Sequence, residues 1–118
     1  MKRFFAFGCS FTSYLWPTWA DILGRHYEYY ENWGVTGGGN SLIFNSLVEC
    51  NARHQINKQD TVIIMWTSTS REDHYVGRQW RGLGNIYWSA GSEYPIEYVE
   101  KFACERGYLI RDIAFVSA

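Results

Sequence analysis

The sequence predicts an α/β protein built on a short parallel sheet. Short apolar runs typical of buried strands alternate with segments whose apolar residues recur at helical spacing. Their order suits strand–helix–strand units, in which successive strands run parallel. The chain has 118 residues, which is the length of about one domain, and we expect a single domain over residues 1–118.

The elements of the first third of the chain follow from these patterns. Residues 4–7 form an aromatic run closed by Gly8, as expected of a buried strand. Pro17 suits the first turn of a helix, and the apolar positions after it end at Gly24. A second strand is predicted over residues 27–32.

A glycine-rich stretch, NWGVTGGGN, leads from the second strand into a second helix. Asn40 can cap this helix, whose apolar stripe predicts an end near His54. Residues 61–66, TVIIMW, predict a β-branched strand that is buried on both faces. Functional groups of parallel sheets collect where strands end, so residues 8–10, 32–40 and 66–71 are the segments of interest.

The second half of the chain has weaker signals. Residues 72–95 are polar and aromatic without clear periodicity, which predicts a long loop that acts as a functional cover or an interaction surface. Beyond Ile96, apolar spacing predicts two helical segments that are broken at Gly107.

Composition excludes several classes of function. Eleven Lys and Arg residues balance twelve Asp and Glu residues, which argues against nucleic acid and anionic membranes as partners. No apolar run has the length of a signal-peptide core or a membrane span, so we expect a soluble cytoplasmic protein. The three cysteines are widely spaced without a CxxC pair, and we expect neither disulfides, nor a metal site, nor another cofactor.

Two candidate nucleophiles follow the first strand. The Ser10 hydroxyl would project at the carboxyl edge of the sheet, near backbone N–H groups that can face an oxyanion. Alternatively, Ser10 and Thr12 only satisfy amides of the loop. A Cys9 thiolate would be the stronger nucleophile, but no His or Lys lies nearby in the sequence to lower its pKa, and we expect a small buried thiol.

The glycine run at residues 37–39 has two interpretations. Glycines before a helix can let the backbone approach a substrate or an anion. The run lacks the spacing of nucleotide-binding loops, which makes a nucleotide site a weak hypothesis, and by itself it would be an ordinary turn.

Together these segments resemble the SGNH hydrolases, the GDSL-type serine esterases and acylhydrolases. The family's Gly-Asp-Ser block is matched by residues 8–10, with Cys9 in the Asp position. Its second block, an Asn followed by an oxyanion-hole Gly, is matched by Asn32 and Gly37. The match covers roughly the first eighty residues.

The third block of the family falls on VIIMWTSTS. There Ser68, or Thr67 in a register shifted by one, stands in place of the family's Asn. The form WTS followed by Arg71 is similar to a variant associated with phage-encoded members of the family.

The resemblance implies a fold and a reaction. The fold would be a three-layer α/β/α sandwich of flavodoxin-like topology, with this chain as its N-terminal two-thirds. Ser10 would attack a small ester or an acetylated carbohydrate, and the Ser10 and Gly37 amides with Ser68 would stabilise the oxyanion. Arg71 would add a charged donor; as an alternative, it is a solvated or salt-bridged residue.

The general base is the weak point of this hypothesis. The family's Asp-x-x-His block has no counterpart in the chain, and His26 and His54 are expected at the surface. His74, beside Asp73, follows a catalytic-edge strand and is either a supporting residue or part of a solvated loop. A serine without a base is a weak nucleophile, so a non-catalytic binding or structural module is the rival interpretation. We also expect a second copy or a complementary chain to cover an open sheet edge.

Overall fold

The computed structural model describes residues 1–87 and 94–118. The strands are β1 (Arg3–Phe7), β2 (Tyr29–Asn32), β3 (Thr61–Ile64), β4 (Arg71–Val76) and β5 (Gln79–Asn85). The helices are α1 (Trp19–Gly24), α2 (Asn40–His54), α3 (Ile96–Phe102) and α4 (Glu105–Ser117). The first three strands form a parallel sheet in the order β2-β1-β3, and β4 and β5 form an antiparallel pair. The predicted α/β class with a parallel sheet is confirmed.

β1 lies at the centre of the parallel sheet and is buried on both of its faces. Side chains alternate between the two faces of a strand. Phe5 and Phe7 pack with Ile43 and Cys50 of α2, whereas Phe4 and Ala6 pack with α1. Each face of β1 therefore has a helix against it, which explains why this strand is apolar without interruption.

The predicted elements of the first half are present with small shifts. β2 begins at Tyr29 rather than at residue 27, and β3 ends at Ile64 rather than at residue 66. The predicted full burial of β3 is wrong, because its residues are only half-buried. Within the described residues β3 pairs with β1 alone, so its other edge has no strand beside it.

The prediction of a loop over residues 72–95 is wrong for its first part. Residues 71–85 form a hairpin that reverses at Gly77, where φ is +66°. Its strand residues are half-buried or exposed and none is fully buried, so neither strand carries the continuous apolar run of a core strand. Residues 88–93 of the predicted loop lie outside the described residues.

The two predicted C-terminal helices are present, but the break between them is displaced. The chain leaves helical geometry at Ala103 and Cys104, and Gly107 lies inside α4. A single glycine within a helix costs about 1 kcal/mol, which is too little to interrupt it. In the two described ranges, no helix is both long enough and apolar enough to cross a membrane.

Candidate functional site

Ser10 lies in a tight turn directly after β1. The N–H groups of Thr12 and Ser13 both donate to the Cys9 carbonyl, each at 3.0 Å. Ser10 is partly exposed and borders a cavity of about 300 Å³. The remaining lining residues are Phe11, Tyr14, Trp16 and Thr18. The hydroxyl is thus placed at the carboxyl edge of the sheet, as the sequence predicts, beside a mainly aromatic cavity.

Asn32 holds the Ser10 turn in place. Its Nδ2 donates to the Thr12 carbonyl at 2.8 Å and to Asp21 Oδ1 at 3.2 Å, and its Oδ1 accepts from Gly34 N at 2.9 Å. Burial raises the pKa of Asp21, but hydrogen bonds from Thr18, Tyr30 and Asn32 outweigh it and bring the pKa below its ordinary value. Asp21 therefore stays charged and anchors Asn32, which positions the segment that carries Ser10.

Cys9 is a buried thiol, as predicted, with only 2% of its surface exposed. Burial raises its pKa, but hydrogen bonds from the Phe11 N–H and the Thr67 side chain, together with the Arg71 charge, bring the pKa below its ordinary value. The sequence places no His or Lys near Cys9, and the groups that lower this pKa, Thr67 and Arg71, come close to it only in the folded chain. The small exposure leaves a substrate little access to the sulfur.

The segment after β3 is tied to the rest of the protein through Asn40. The Asn40 side chain accepts from Thr67 N at 2.8 Å and donates to Thr67 O at 3.0 Å and to Asp112 Oδ2 at 2.9 Å. Thr67 also faces Cys9, whereas Ser68 is exposed and its hydroxyl accepts from Ser70 N at 3.1 Å. Thr67, and not Ser68, is therefore the residue of this segment that interacts with Cys9.

Asp73 of the hairpin caps the N-terminus of α2. Its two carboxylate oxygens accept from Gly39 N and Leu42 N, both at 2.8 Å. Asn40 makes no capping bond, and the N-cap position belongs to Gly39, so the prediction of an Asn40 cap is wrong. An anion is favoured at a helix N-terminus, and here the protein supplies one itself. An external anion would therefore find the helix N-terminus after residues 37–39 already occupied by Asp73, which argues against the predicted anion site.

Gly37 lies against β5 and not against the Ser10 cavity. Its φ is +76°, a left-handed conformation that favours glycine, and its carbonyl accepts from Gly84 N at 3.1 Å. Neither Gly37 nor Ser68 belongs to the lining of the cavity beside Ser10. Their roles as oxyanion donors stay predictions.

Arg71 packs against the same glycine segment. Its Nη1 donates to the Gly38 carbonyl at 3.0 Å, and its Nε is buried with no hydrogen-bond partner among the described residues. Since its charge also acts on the Cys9 thiol, Arg71 is a partly buried cation beside the turn that follows β1 rather than a solvated one.

The histidines, all three of which are described, make no hydrogen bond to Ser10. The His74 ring is tilted against the Tyr94 ring, with centroids 5.7 Å apart, and His74 Nε2 lies 3.9 Å from the Glu72 carboxylate, on the opposite side of β4 from Asp73. His54 contacts Glu31 at 2.8 Å, and His26 is exposed. Within the described residues, therefore, no histidine is hydrogen-bonded to Ser10 as a general base would be.

Sequence reasoning missed the structural roles of Asn40, Asp73 and Asp112. Each residue hydrogen-bonds to a segment that is distant in the sequence, and the only signal in the sequence was that its side chain is polar and can form such bonds. Comparison of the chain with protein-family models, with curated proteins and with solved structures found no match. The resemblance to the SGNH hydrolases rests on the residues of the first two sequence blocks, since the third block is substituted, and it stays a prediction.

Proposed function

We propose that this chain is an SGNH-like serine acylhydrolase domain with Ser10 as its nucleophile. The observation that carries the proposal is the position of Ser10, in a tight turn at the carboxyl end of the central strand, beside a cavity. The strand order β2-β1-β3 supports it, since flavodoxin-like sheets begin in this order. A three-layer arrangement is the fold that we propose with it.

The cavity beside Ser10 supports an ester with an apolar or sugar-like group. Phe11 is 70% exposed and Trp16 is 63% exposed, and Tyr14 lies edge-on to Trp16 with ring centroids 4.5 Å apart. Exposed aromatic rings of this kind bind acyl groups through apolar contact and sugar rings through stacking. The substrate class that we propose is therefore a small ester or an acetylated carbohydrate.

The absence of a base beside Ser10 determines the level of activity that we expect. Because no described histidine hydrogen-bonds to Ser10, the hydroxyl is not activated by a triad within the described residues. We propose that the described residues alone give weak hydrolysis, and that a second copy or another chain contributes the base in the active assembly.

A chemical-rescue experiment tests this proposal. Free imidazole acts as a diffusible general base, so it should speed hydrolysis of p-nitrophenyl acetate by the wild-type protein above the rate in buffer. We expect Ser10→Ala to remove the whole protein-dependent part of this acceleration. Each rate is measured against the same imidazole concentration without protein.

Cys9→Ala is the matched control, because it removes the neighbouring nucleophile. We expect it to keep the imidazole-dependent rate, provided that circular dichroism shows a folded protein. Hydrolysis that persists in Ser10→Ala and disappears in Cys9→Ala would overturn the assignment of Ser10. If folded wild-type protein shows no acceleration at any imidazole concentration, the rival binding module is favoured, and the exposed aromatic rings of residues 11–16 are its binding surface.

A further inference from the structure

A second group of chemically reactive side chains lies between β2 and α2, apart from Ser10. Glu31 of β2 and Cys50 and His54 of α2 bring an oxygen, a sulfur and a nitrogen atom within 4.8 Å of one another. Cys50 and His54 are four residues apart and therefore share one face of the helix. Because β2 and α2 are separate elements, the fold and not local sequence brings Glu31 to this face.

The three side chains are a recognised set of zinc ligands. Zinc in proteins is bound by cysteine sulfur, histidine nitrogen and carboxylate oxygen, at about 2.0–2.3 Å. In a tetrahedral site these distances put the ligand atoms about 3.3–3.8 Å apart. To reach that geometry, separations near the present 4.8 Å limit must close by about 1 Å, and His54 Nε2 and Glu31 Oε1, now 2.8 Å apart, must open by about 0.5 Å. We propose that Glu31, Cys50 and His54 bind one zinc ion, with water as the fourth ligand.

Surrounding hydrogen bonds orient the carboxylate for this purpose. Glu31 Oε2 accepts from the Tyr29 hydroxyl at 2.6 Å, and Oε1 accepts from Trp33 Nε1 at 2.9 Å. Outer hydrogen bonds of this type fix the orientation of metal-binding carboxylates. His54 Nε2 lies 2.8 Å from Glu31 Oε1, so these two ligand atoms already face each other, and the metal would take the place of their direct contact.

The positive charges near this group are already paired with other carboxylates, so they do not neutralise Glu31 in place of a cation. Arg3 is bound to Asp60 at 2.7 Å, and Arg53 is bound to Glu49 at 2.7 Å, so the two nearby guanidinium groups have other carboxylate partners. Cys50 is fully buried, whereas the side chains of Glu31 and His54 are 30% and 22% exposed and leave one side open for entry. On binding, zinc takes the place of the thiol proton of Cys50 and of any proton shared by His54 and Glu31, and these protons pass to solvent.

The zinc ion would act as a structural clamp. The last turn of α2 contacts the start of β1, where Arg3 Nη2 donates to the His54 carbonyl at 3.1 Å, whereas Ser10 follows the other end of β1. The metal would join this turn to β2 and would not touch the Ser10 cavity. Its binding is therefore independent of the function that we propose for Ser10.

Metal titration of the untagged protein tests the proposal. After treatment with a chelator, we expect one equivalent of zinc to bind, and cobalt(II) to give a thiolate charge-transfer band. We expect zinc to raise the melting temperature, because it binds the folded state selectively. Cys50→Ala and His54→Gln should each weaken zinc binding at least about tenfold, since even the loss of an outer hydrogen bond to a metal ligand costs that much.

Two variants elsewhere in the chain serve as controls. Cys104→Ala and His26→Gln remove an exposed thiol and an exposed imidazole, and both should bind zinc like the wild type. Circular dichroism of the metal-free proteins identifies any variant that does not fold, and Glu31→Gln then replaces it in the comparison. Zinc binding that is absent in the wild type, or that folded Cys50→Ala retains undiminished, would overturn the proposal.

Discussion

At the residue scale, Asn40 has a structural role that its position at a helix start does not suggest. Its side chain pairs with both backbone groups of Thr67 and with the Asp112 carboxylate, and only 2% of it is exposed. Arg111 completes this group by donating to Asp112 at 2.7 Å and to Thr69 O at 3.1 Å. A single buried amide thus joins the segment after β3 to both α2 and α4.

We expect Asn40→Ala to destabilise the protein by about 3 kcal/mol, because it removes a partner from the buried Asp112 carboxylate and from two part-buried backbone groups of Thr67. Urea denaturation followed by circular dichroism measures the difference. Asn45→Ala is the control: this residue lies on the same helix and is half-buried, and it makes one hydrogen bond, to Ser41 O at 2.8 Å. Asn45→Ala should lower the free energy of unfolding by less than about 1 kcal/mol. Equal losses in the two variants would contradict the role assigned to Asn40.

At the element scale, the β4–β5 hairpin docks against the glycine loop through close backbone contact at Gly82 and through the side chains of Arg71 and Asp73. A Cβ atom on Gly82 would lie 2.5 Å from the Gly37 carbonyl oxygen and 2.6 Å from Gly38 Cα. The Asp73 carboxylate bridges the same two parts of the chain by closing α2. Sequence periodicity did not identify this hairpin, because glycine contacts and a carboxylate cap leave no apolar pattern.

Gly82→Ala should separate the hairpin from the glycine loop, since the added methyl group meets backbone that cannot move aside. We expect a loss of about 1–3 kcal/mol in unfolding free energy, as for other overpacked sites. Hydrogen exchange should show faster exchange of the amides of β4 and β5.

Gly107→Ala is the matched substitution in α4, where the nearest atoms to the new methyl group are 3.6 Å away. It should stabilise the protein by about 0.5–1 kcal/mol, because alanine is the better helix former. A destabilised Gly107→Ala or an unchanged Gly82→Ala would contradict these packing assignments.

At the scale of the whole molecule, a large apolar surface faces solvent. In the described residues the outer edges of β2 and β3 pair with no further strand. On α4, four large apolar side chains are at least half exposed: Leu109, Ile110, Ile113 and Val116. Open strand edges and apolar faces favour association with another chain. The expected partner, a second copy or a complementary chain, stays a prediction.

We expect the purified protein to self-associate, because association removes this apolar surface from water. Size-exclusion chromatography with light scattering, over a range of protein concentrations, measures the mass. Ile110→Lys should shift the mass towards the monomer, whereas Ile22→Lys, the same substitution at a similarly exposed residue of α1, should not. A wild-type protein that stays monomeric at high concentration would contradict the expectation.

The sequence by itself determined the first three strands, the first two helices and the position of Ser10 at a strand end. These features depend on residues that are close along the chain, so apolar periodicity and Gly8 were sufficient to predict them. The prediction that Pro17 lies in the first turn of α1 is wrong, because Thr18 is the N-cap and the helix begins at Trp19. The tertiary structure alone decided the hairpin, the Asp73 cap, the Asn40 bridge and the contacts of Cys9. It also brought Glu31 to Cys50 and His54, because each of these groups depends on side chains that meet only when separate strands and helices pack together.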